Sequence, residues 1–152
     1  IGKMRLEQLF ILILFSGFLG CNVQKYNLED YSQYKVYTSL KKALKNKADV
    51  KVLVLASDGL KGFPMGITEL TNLKVLNLTN NEITHIPKEI SNLKQLERLE
   101  LMRNKLIELP EGIIDLKNLK RINVAYNGLY DEDVQFIKDA LPNCFIITEI
   151  VL

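Results

Sequence analysis

The strongest constraint on the fold is an internal repeat, because from Val50 onward the sequence recurs with a period of 23 residues over three to four copies. Nine positions recur in register, five of them in all four copies and four in the first three, which chance similarity does not produce. A period of this length is typical of proteins in which one structural unit stacks on the next. Two apolar columns are Leu53, Leu76, Leu99 and Ile122, and Leu55, Leu78, Leu101 and Val124.

The order of residues within one copy predicts one turn of a coil. Leu76, Asn77 and Leu78 alternate as in a strand that buries one face. Pro87 then excludes regular helix and sheet pairing, so that Ile90 returns along the back in a loose or 3₁₀ segment. Stacked turns of this kind predict an α/β solenoid with a parallel sheet on one face and an apolar interior.

A polar column follows the strand positions, at the point where the chain bends. An inward amide there can bond backbone groups of the bend that no regular structure satisfies. We expect this structural ladder to consist of Asp58, Asn81, Asn104 and Asn127.

These columns resemble the leucine-rich repeat family, whose pattern is matched from Leu73 through Asn81 and Pro87 to Leu93. The resemblance covers residues 50–143 and implies about four 23-residue repeats with the parallel sheet on the concave face. It also implies a non-enzymatic scaffold that binds another protein on that face.

The ends depart from the repeat, as covers for an open apolar core should. Residues 22–49 are predicted to form a tether and an N-terminal capping helix, from about residue 38 to 46, with Val36, Leu40, Ala43 and Leu44 in its apolar stripe. A second helix should begin at Asp131, and residues 144–152 should form a capping strand, most clearly from 145 to 148. Four nearby tyrosines are expected to pack on the first cap rather than to bind a partner: Tyr26, Tyr31, Tyr34 and Tyr37.

Residues 1–21 read as a signal peptide, with a basic start, an apolar run from Leu9 and small residues near its end. Met4 is an alternative start. The junction Leu19-Gly20-Cys21 resembles a lipobox, although Phe18 departs from the usual leucine, and implies lipid attachment at Cys21. Together with the repeats it resembles short leucine-rich repeat lipoproteins of spirochaetes, and implies export and anchoring in the bacterial cell envelope at the outer membrane. A short buried helix and ordinary cleavage are the alternatives.

The second cysteine, Cys144, lies in an apolar run and is expected to be a buried small hydrophobe. A disulfide with Cys21 is the less favoured alternative.

Composition argues against most chemistry. The chain of 152 residues has one histidine, two cysteines and a formal net charge of +2. Cysteine and histidine alone cannot supply a structural zinc site. The only histidine, His85, is expected in an exposed loop, and no phosphate-binding glycine loop occurs. We therefore expect no catalytic residues, no metal, no cofactor and no nucleic-acid partner, and a monomer.

The candidate partner-binding site lies at outward strand positions in the C-terminal half of the sheet. Three of the four arginines of the chain fall there, whereas the remaining surface uses lysine. Arginine, tyrosine and methionine are enriched in interface cores and lysine is depleted. The predicted residues are Arg98, Glu100, Met102, Arg103, Arg121, Asn123 and Tyr126. The alternative is that Glu100 only compensates neighbouring arginines, in a structural envelope lipoprotein with no specific partner.

Overall fold

The computed structural model describes residues 31–148, and the predicted signal peptide and Cys21 lie outside them. Six short strands form one parallel sheet in the order in which they occur along the chain. Their bounds are β1 Val36–Tyr37, β2 Val52–Val54, β3 Val75–Asn77, β4 Arg98–Glu100, β5 Arg121–Asn123 and β6 Phe145–Ile147. The predicted solenoid with a parallel sheet is therefore confirmed.

The back of each of the first three turns is a 3₁₀ segment that begins directly after a proline. The three segments are Met65–Glu69, Lys88–Asn92 and Glu111–Asp115, after Pro64, Pro87 and Pro110. Each proline has a φ near −70°, which its ring imposes and which suits the residue before a helical turn. The sequence expectation for the return path thus agrees with the structure.

The core runs the length of the solenoid between the sheet and the 3₁₀ segments. Register pairs Tyr37 with Leu53, Leu76, Leu99, Ile122 and Ile146 across the strands. Ile67, Ile90 and Ile113 from the back of the coil are fully buried in the same cluster. Because every turn shares this interior with its neighbours, the interior holds the strands at fixed spacing and makes the sheet a rigid surface.

The N-terminal end differs in two respects from the sequence prediction. The helix there, α1, is Leu40–Leu44, shorter than the predicted range, and Oγ of Ser39 accepts a hydrogen bond from N of Lys42 at its start. Val36 does not belong to the helical stripe, because it lies in β1 and pairs with Val52. Ala43 is fully buried and Leu40 and Leu44 pack on the core of the first turn.

At the C-terminal end, the helix α2 spans Asp131–Ala140 and buries Val134 and Ile137. Its first turn carries three acidic residues, whose negative charges interact favourably with the positive end of the helix dipole. Cys144 follows as a half-buried free thiol that packs against the core. Within residues 31–148 no helix is long and apolar enough to cross a bilayer.

Candidate binding face on the sheet

Two columns of side chains alternate with the core residues and point to the concave face. The first joins Val36, Val52, Val75, Arg98, Arg121 and Phe145 in register, and the second joins Val54, Asn77, Glu100, Asn123 and Ile147. The face is therefore apolar over β1 and β2 and polar over β4 and β5, as the sequence predicted.

The apolar part of the face is covered by residues that precede the first strand. Tyr31 and Tyr34 pack against a cluster formed by Val52, Val54 and Val75. The expectation that these two tyrosines pack on the capping helix is wrong, because they cross the sheet instead. Sequence reasoning missed this contact because residues 31–34 lie outside the repeat and carry no periodic signal.

The polar centre of the face is buried. Arg98 is 5% exposed and Glu100 3% exposed, and Asn123 is also buried. The sequence prediction that these three side chains point to the concave face is geometrically right, but the expectation that they are solvent-facing is wrong. Tyr31 contributes to this burial, since its ring lies 5.4 Å from the guanidinium carbon of Arg98.

Glu100 and Arg121 form an ion pair within this polar centre. Nε of Arg121 lies 3.0 Å from Oε1 of Glu100, in ion-pair rather than hydrogen-bond geometry. Burial raises the pKa of Glu100, and the charges of Arg121 and Arg98 oppose that shift. Because removing one member of a buried pair leaves the other uncompensated, these residues support the structure of the face.

A second charged cluster lies at the edge of the face where the strands begin, and it is centred on Glu97. Glu97 accepts hydrogen bonds from Nζ of Lys74 over 2.7 Å, from Nζ of Lys120, and from the hydroxyl of Tyr31 over 3.1 Å. Tyr34 adds a second ring contact, 5.7 Å from Nζ of Lys74. The cluster thus ties Tyr31 and Tyr34 to three successive turns of the coil.

The accessible part of the predicted site lies at the rim where the strands end. Arg103 is exposed, Tyr126 is 51% exposed, and Met102 is partly exposed. The guanidinium carbon of Arg103 lies 5.4 Å from the centre of the Tyr126 ring, within the range of a cation–π contact. Of the seven predicted residues, these three and the partly exposed Arg121 are accessible to a partner.

The rim residues share an unusual backbone conformation. Ser57, Asn80, Arg103 and Tyr126 have φ angles of 55–60°, in the left-handed region that few residues other than glycine, asparagine and aspartate adopt. These residues are 23 positions apart, so the repeat itself imposes the conformation. The turn aims each side chain outward from the rim, and a sequence signal for it exists only at Asn80.

The asparagine ladder lies beneath the rim. Oδ1 of Asn81 accepts from N of Asp58 and of Leu60, and Nδ2 donates to O of Leu55 and of Leu78. One and two turns later, Oδ1 of Asn104 and of Asn127 each accepts from one backbone amide, and Nδ2 of each donates to a carbonyl oxygen of its own turn and to one of the preceding turn. Asp58 departs from the prediction: its side chain is exposed, and it joins the ladder only through its backbone amide.

Across residues 31–148 no three His, Cys, Asp or Glu side chains come together as ligands of a metal ion. His85 is exposed, and its Nδ1 contacts only the neighbouring hydroxyl of Thr84, over 3.3 Å.

The repeat geometry defines the class of protein, and comparison with known proteins identifies its family. A family model described as a leucine-rich repeat region matches residues 35–138. The chain belongs to the leucine-rich repeat family.

Solved structures of the same fold come from bacteria and plants. A leucine-rich repeat protein of Leptospira interrogans is 34% identical over 78% of this chain and 35% of its own, with a TM-score of 0.51. An internalin of Listeria monocytogenes is 24% identical over 76% and 32% of the two chains, with a TM-score of 0.59, and supports the fold alone. The ectodomain of an Arabidopsis thaliana receptor kinase, solved in complex with Casparian strip integrity factor 2, is 28% identical over 69% and 13%, with a TM-score of 0.52.

The chain spans about a third of the length of the two bacterial structures. No curated protein matches it significantly.

Proposed function

We propose that this protein is a lipid-anchored leucine-rich repeat scaffold of the bacterial cell envelope that binds another protein without catalysing a reaction. The observation that carries the proposal is the exposed pair of Arg103 and Tyr126 at the rim of the concave face. Interface hot spots are enriched in arginine and tyrosine, whereas most surface positions contribute little.

The rim suits recognition because it is held in place before a partner arrives. Each rim residue sits on a turn whose backbone the asparagine ladder fixes, and Nδ2 of Asn127 donates to O of Leu101 and of Val124 beside it. A side chain that is already ordered loses less entropy on binding. The planar guanidinium of Arg103 suits a carboxylate, and the Tyr126 ring supplies an apolar contact with a polar tip.

The structural relatives support protein binding as a general role of this scaffold. The plant receptor ectodomain was solved with Casparian strip integrity factor 2 bound. Because that relative is much longer than this chain, we take from it only that a coil of this kind can serve recognition.

Anchoring is supported by the sequence Leu19-Gly20-Cys21 at the end of an apolar run. That run is shorter than the ~20 residues that span a bilayer, and several acyl chains on one cysteine hold a protein at a membrane. Metabolic labelling with a fatty acid should mark the wild type and not Cys21→Ser. Equal labelling of the two, or a wild type found entirely in the soluble fraction, would contradict lipid attachment.

Binding is tested by capture from envelope and host extracts with detergent-extracted protein. Arg103→Asn combined with Tyr126→Asn should weaken the recovery of any co-purified protein. Asparagine is chosen because Asn80 holds the same backbone conformation at the equivalent position. The matched control is Lys88→Ala with Lys94→Ala on the back of the coil, which should leave recovery unchanged.

If the control pair abolishes capture while the rim pair leaves it intact, the rim is not the binding site. If no protein is enriched over the detergent background, the alternative gains support. That alternative is a structural envelope lipoprotein, in which the ion pair of Glu100 and Arg121 only compensates charge.

A further inference from the structure

The charge of the solenoid is divided between its two ends. Residues 31–51, which form the N-terminal cap and lead into β2, contain six lysines and one acidic residue, Asp49. Residues 52–148 contain eleven basic and thirteen acidic residues, and the C-terminal helix α2 carries four acidic residues and one lysine. Because β1 and β6 are the two edges of the sheet, the basic cap and the acidic helix lie at opposite ends of the coil.

The lysines of the capping helix α1 lie on the side of the helix that faces away from the core. Ala43 is fully buried, and the two leucines of α1 pack on the core beside it. A helix advances by about 100° per residue, so Lys41, Lys42 and Lys45 fall on the opposite side. All three are exposed, and within residues 31–148 none of them forms an ion pair.

A structural role accounts for only part of this charge. Basic side chains in the last turn of a helix interact favourably with the helix dipole, but α1 has only five residues and the effect is confined to that turn. Lys35 lies outside the helix, with its Nζ 4.8 Å from the centre of the Tyr37 ring, and adds to the charge of the same end. Lys41 and Lys45 are four residues apart, where like charges repel mildly. The concentration of lysine therefore points to an anionic partner.

Lysine favours a lipid surface over a protein as that partner. Interface cores between proteins are depleted in lysine, whereas each lysine at the surface of an anionic bilayer raises the binding constant by about fivefold. The predicted anchor, Cys21, lies ten residues before Tyr31. Ten extended residues cover up to about 33 Å, and the three strand spacings from β4, beside Tyr31, to β1 amount to about 14 Å. The connection to the anchor thus permits the cap to meet the membrane, and the charge favours that orientation.

We propose that the N-terminal cap binds the anionic headgroups of the membrane through Lys41, Lys42 and Lys45, so that the solenoid stands on this end. Five strand spacings separate β1 from β6, about 24 Å, which keeps the acidic α2 several screening lengths of about 8 Å away from the headgroups. Arg103 and Tyr126, which follow β4 and β5, are then raised above the membrane. This orientation rests on the proposed anchoring, which brings the cap to the bilayer.

Lysine footprinting on vesicles tests the proposal with the detergent-extracted full chain. The chain is reconstituted on vesicles of phosphatidylcholine alone or of equal parts of phosphatidylcholine and phosphatidylglycerol, and accessible amines are acetylated with a water-soluble ester. Mass spectrometry should find Lys41, Lys42 and Lys45 modified at least about fivefold more slowly on the anionic vesicles. Lys94 on the back of the coil and Lys138 in α2 are exposed and should react equally fast on both, so they serve as internal standards.

The deciding variant is Lys41→Glu with Lys45→Glu, which leaves Lys42 as the reporter. Lys42 should then react as fast on the anionic as on the neutral vesicles, because the reversed charges repel the headgroups. The matched control is Lys94→Glu with Lys117→Glu, which makes the same change in net charge on the back of the coil and should leave Lys42 protected. All four substituted side chains are exposed, so neither variant disturbs the core.

Flotation of the same samples separates the anchor from the cap. A lipid-anchored chain floats with neutral vesicles whatever its cap does, so a failure to float there contradicts the anchor. Flotation with anionic vesicles alone, with the three lysines protected, would support the cap without the anchor.

Three results would overturn the membrane-binding cap. The first is an equal rate of modification of the three lysines on the two kinds of vesicle. The second is protection that survives 1 M salt, in which the screening length falls to about 3 Å. The third is protection by soluble dextran sulfate but not by anionic vesicles, which would assign the cap to a soluble polyanion.

Discussion

The hydroxyl of Tyr31 donates a hydrogen bond to Oε2 of Glu97 over 3.1 Å, and this contact joins two residues that are 66 positions apart in the sequence. The same carboxylate accepts from Lys74 and Lys120, so one side chain links the N-terminal segment to the second, third and fourth turns. Burial alone would raise the pKa of Glu97, but the hydrogen bonds from Lys120, Lys74 and Tyr31 outweigh it and lower the pKa to about 2.

Glu97→Gln should therefore destabilise the protein at neutral pH, by about 1–3 kcal/mol in the free energy of unfolding. The pKa of Glu97 is lower in the folded than in the unfolded chain, so its contribution is complete above the unfolded value of about 4.5 and fades as the pH falls toward 2. Urea unfolding of wild type and variant at pH 7 and near pH 2.5 measures the difference.

Glu82→Gln is the matched control, because the pKa of Glu82 is also lowered, by its hydrogen bond with Lys105, but both side chains are exposed. It should change stability little at either pH, since water screens exposed pairs. A Glu97→Gln effect that is as small, or that persists undiminished in acid, would show that the cluster does not stabilise the fold in this way.

Asn104→Ala should cost about 1–3 kcal/mol, because it leaves buried backbone groups without partners. Oδ1 of Asn104 accepts from N of Ile83 over 3.1 Å, and Nδ2 donates to O of Leu78 and of Leu101, each over 2.9 Å. The control is Asn118→Ala, an exposed asparagine with one hydrogen bond to O of Lys94, which should cost about 0.5 kcal/mol or less. Urea unfolding measures both losses. Equal losses of stability in the two variants would contradict a stabilising role for the asparagine ladder.

Leu101→Ala provides an independent check of the repeat register. Leu101 is fully buried among the inward columns, so its truncation leaves a cavity and should cost about 2–5 kcal/mol. Urea unfolding measures the loss, and a variant that unfolds like the wild type would mean that the register is wrong.

Gly112→Ala should destabilise the back of the coil. A Cβ at Gly112 would lie 2.3 Å from the carbonyl oxygen of Lys88, so the two 3₁₀ segments would have to move apart. We expect a loss of about 1–3 kcal/mol, as for overpacking elsewhere. Gly62→Ala is the control, because no atom lies within 4 Å of its Cβ, and it should be neutral or stabilise by up to about 1 kcal/mol. Thermal unfolding of both variants measures these changes. If Gly62→Ala lost more stability than Gly112→Ala, this packing would be contradicted.

Cys144 should react slowly with thiol reagents while the protein is folded. Burial raises the pKa of Cys144 to about 11, so only about one molecule in a thousand carries the reactive thiolate at pH 8. A Cys21→Ser chain, in which Cys144 is the remaining cysteine, should label slowly in buffer and rapidly in urea. If the folded protein labelled fast, and the labelling rate had its pH midpoint near the pKa of an ordinary thiol, Cys144 would lie at the surface.

The sequence determined those features that are local or repeated. The columns that contain Leu76 and Leu99 predicted the inward face, and Pro87 predicted the irregular return path that the structure shows. The position of Asn104 at the bend predicted contacts with the backbone, because the backbone amide and carbonyl groups of a buried bend need polar partners. The inward columns and the asparagine ladder rest on contacts between neighbouring turns, which a strict period keeps in the same register, whereas the effect of the proline is local.

Tertiary structure alone decided what covers the sheet. Residues 31–34 carry no repeat, so their contacts with Val52, Arg98 and Glu97 follow from the path of the chain and not from any local pattern. For the same reason the sequence assigned Arg98 and Glu100 to the right face but to the wrong environment. Alternation along a strand fixes the side to which a residue points, whereas its burial depends on which distant segment packs over it.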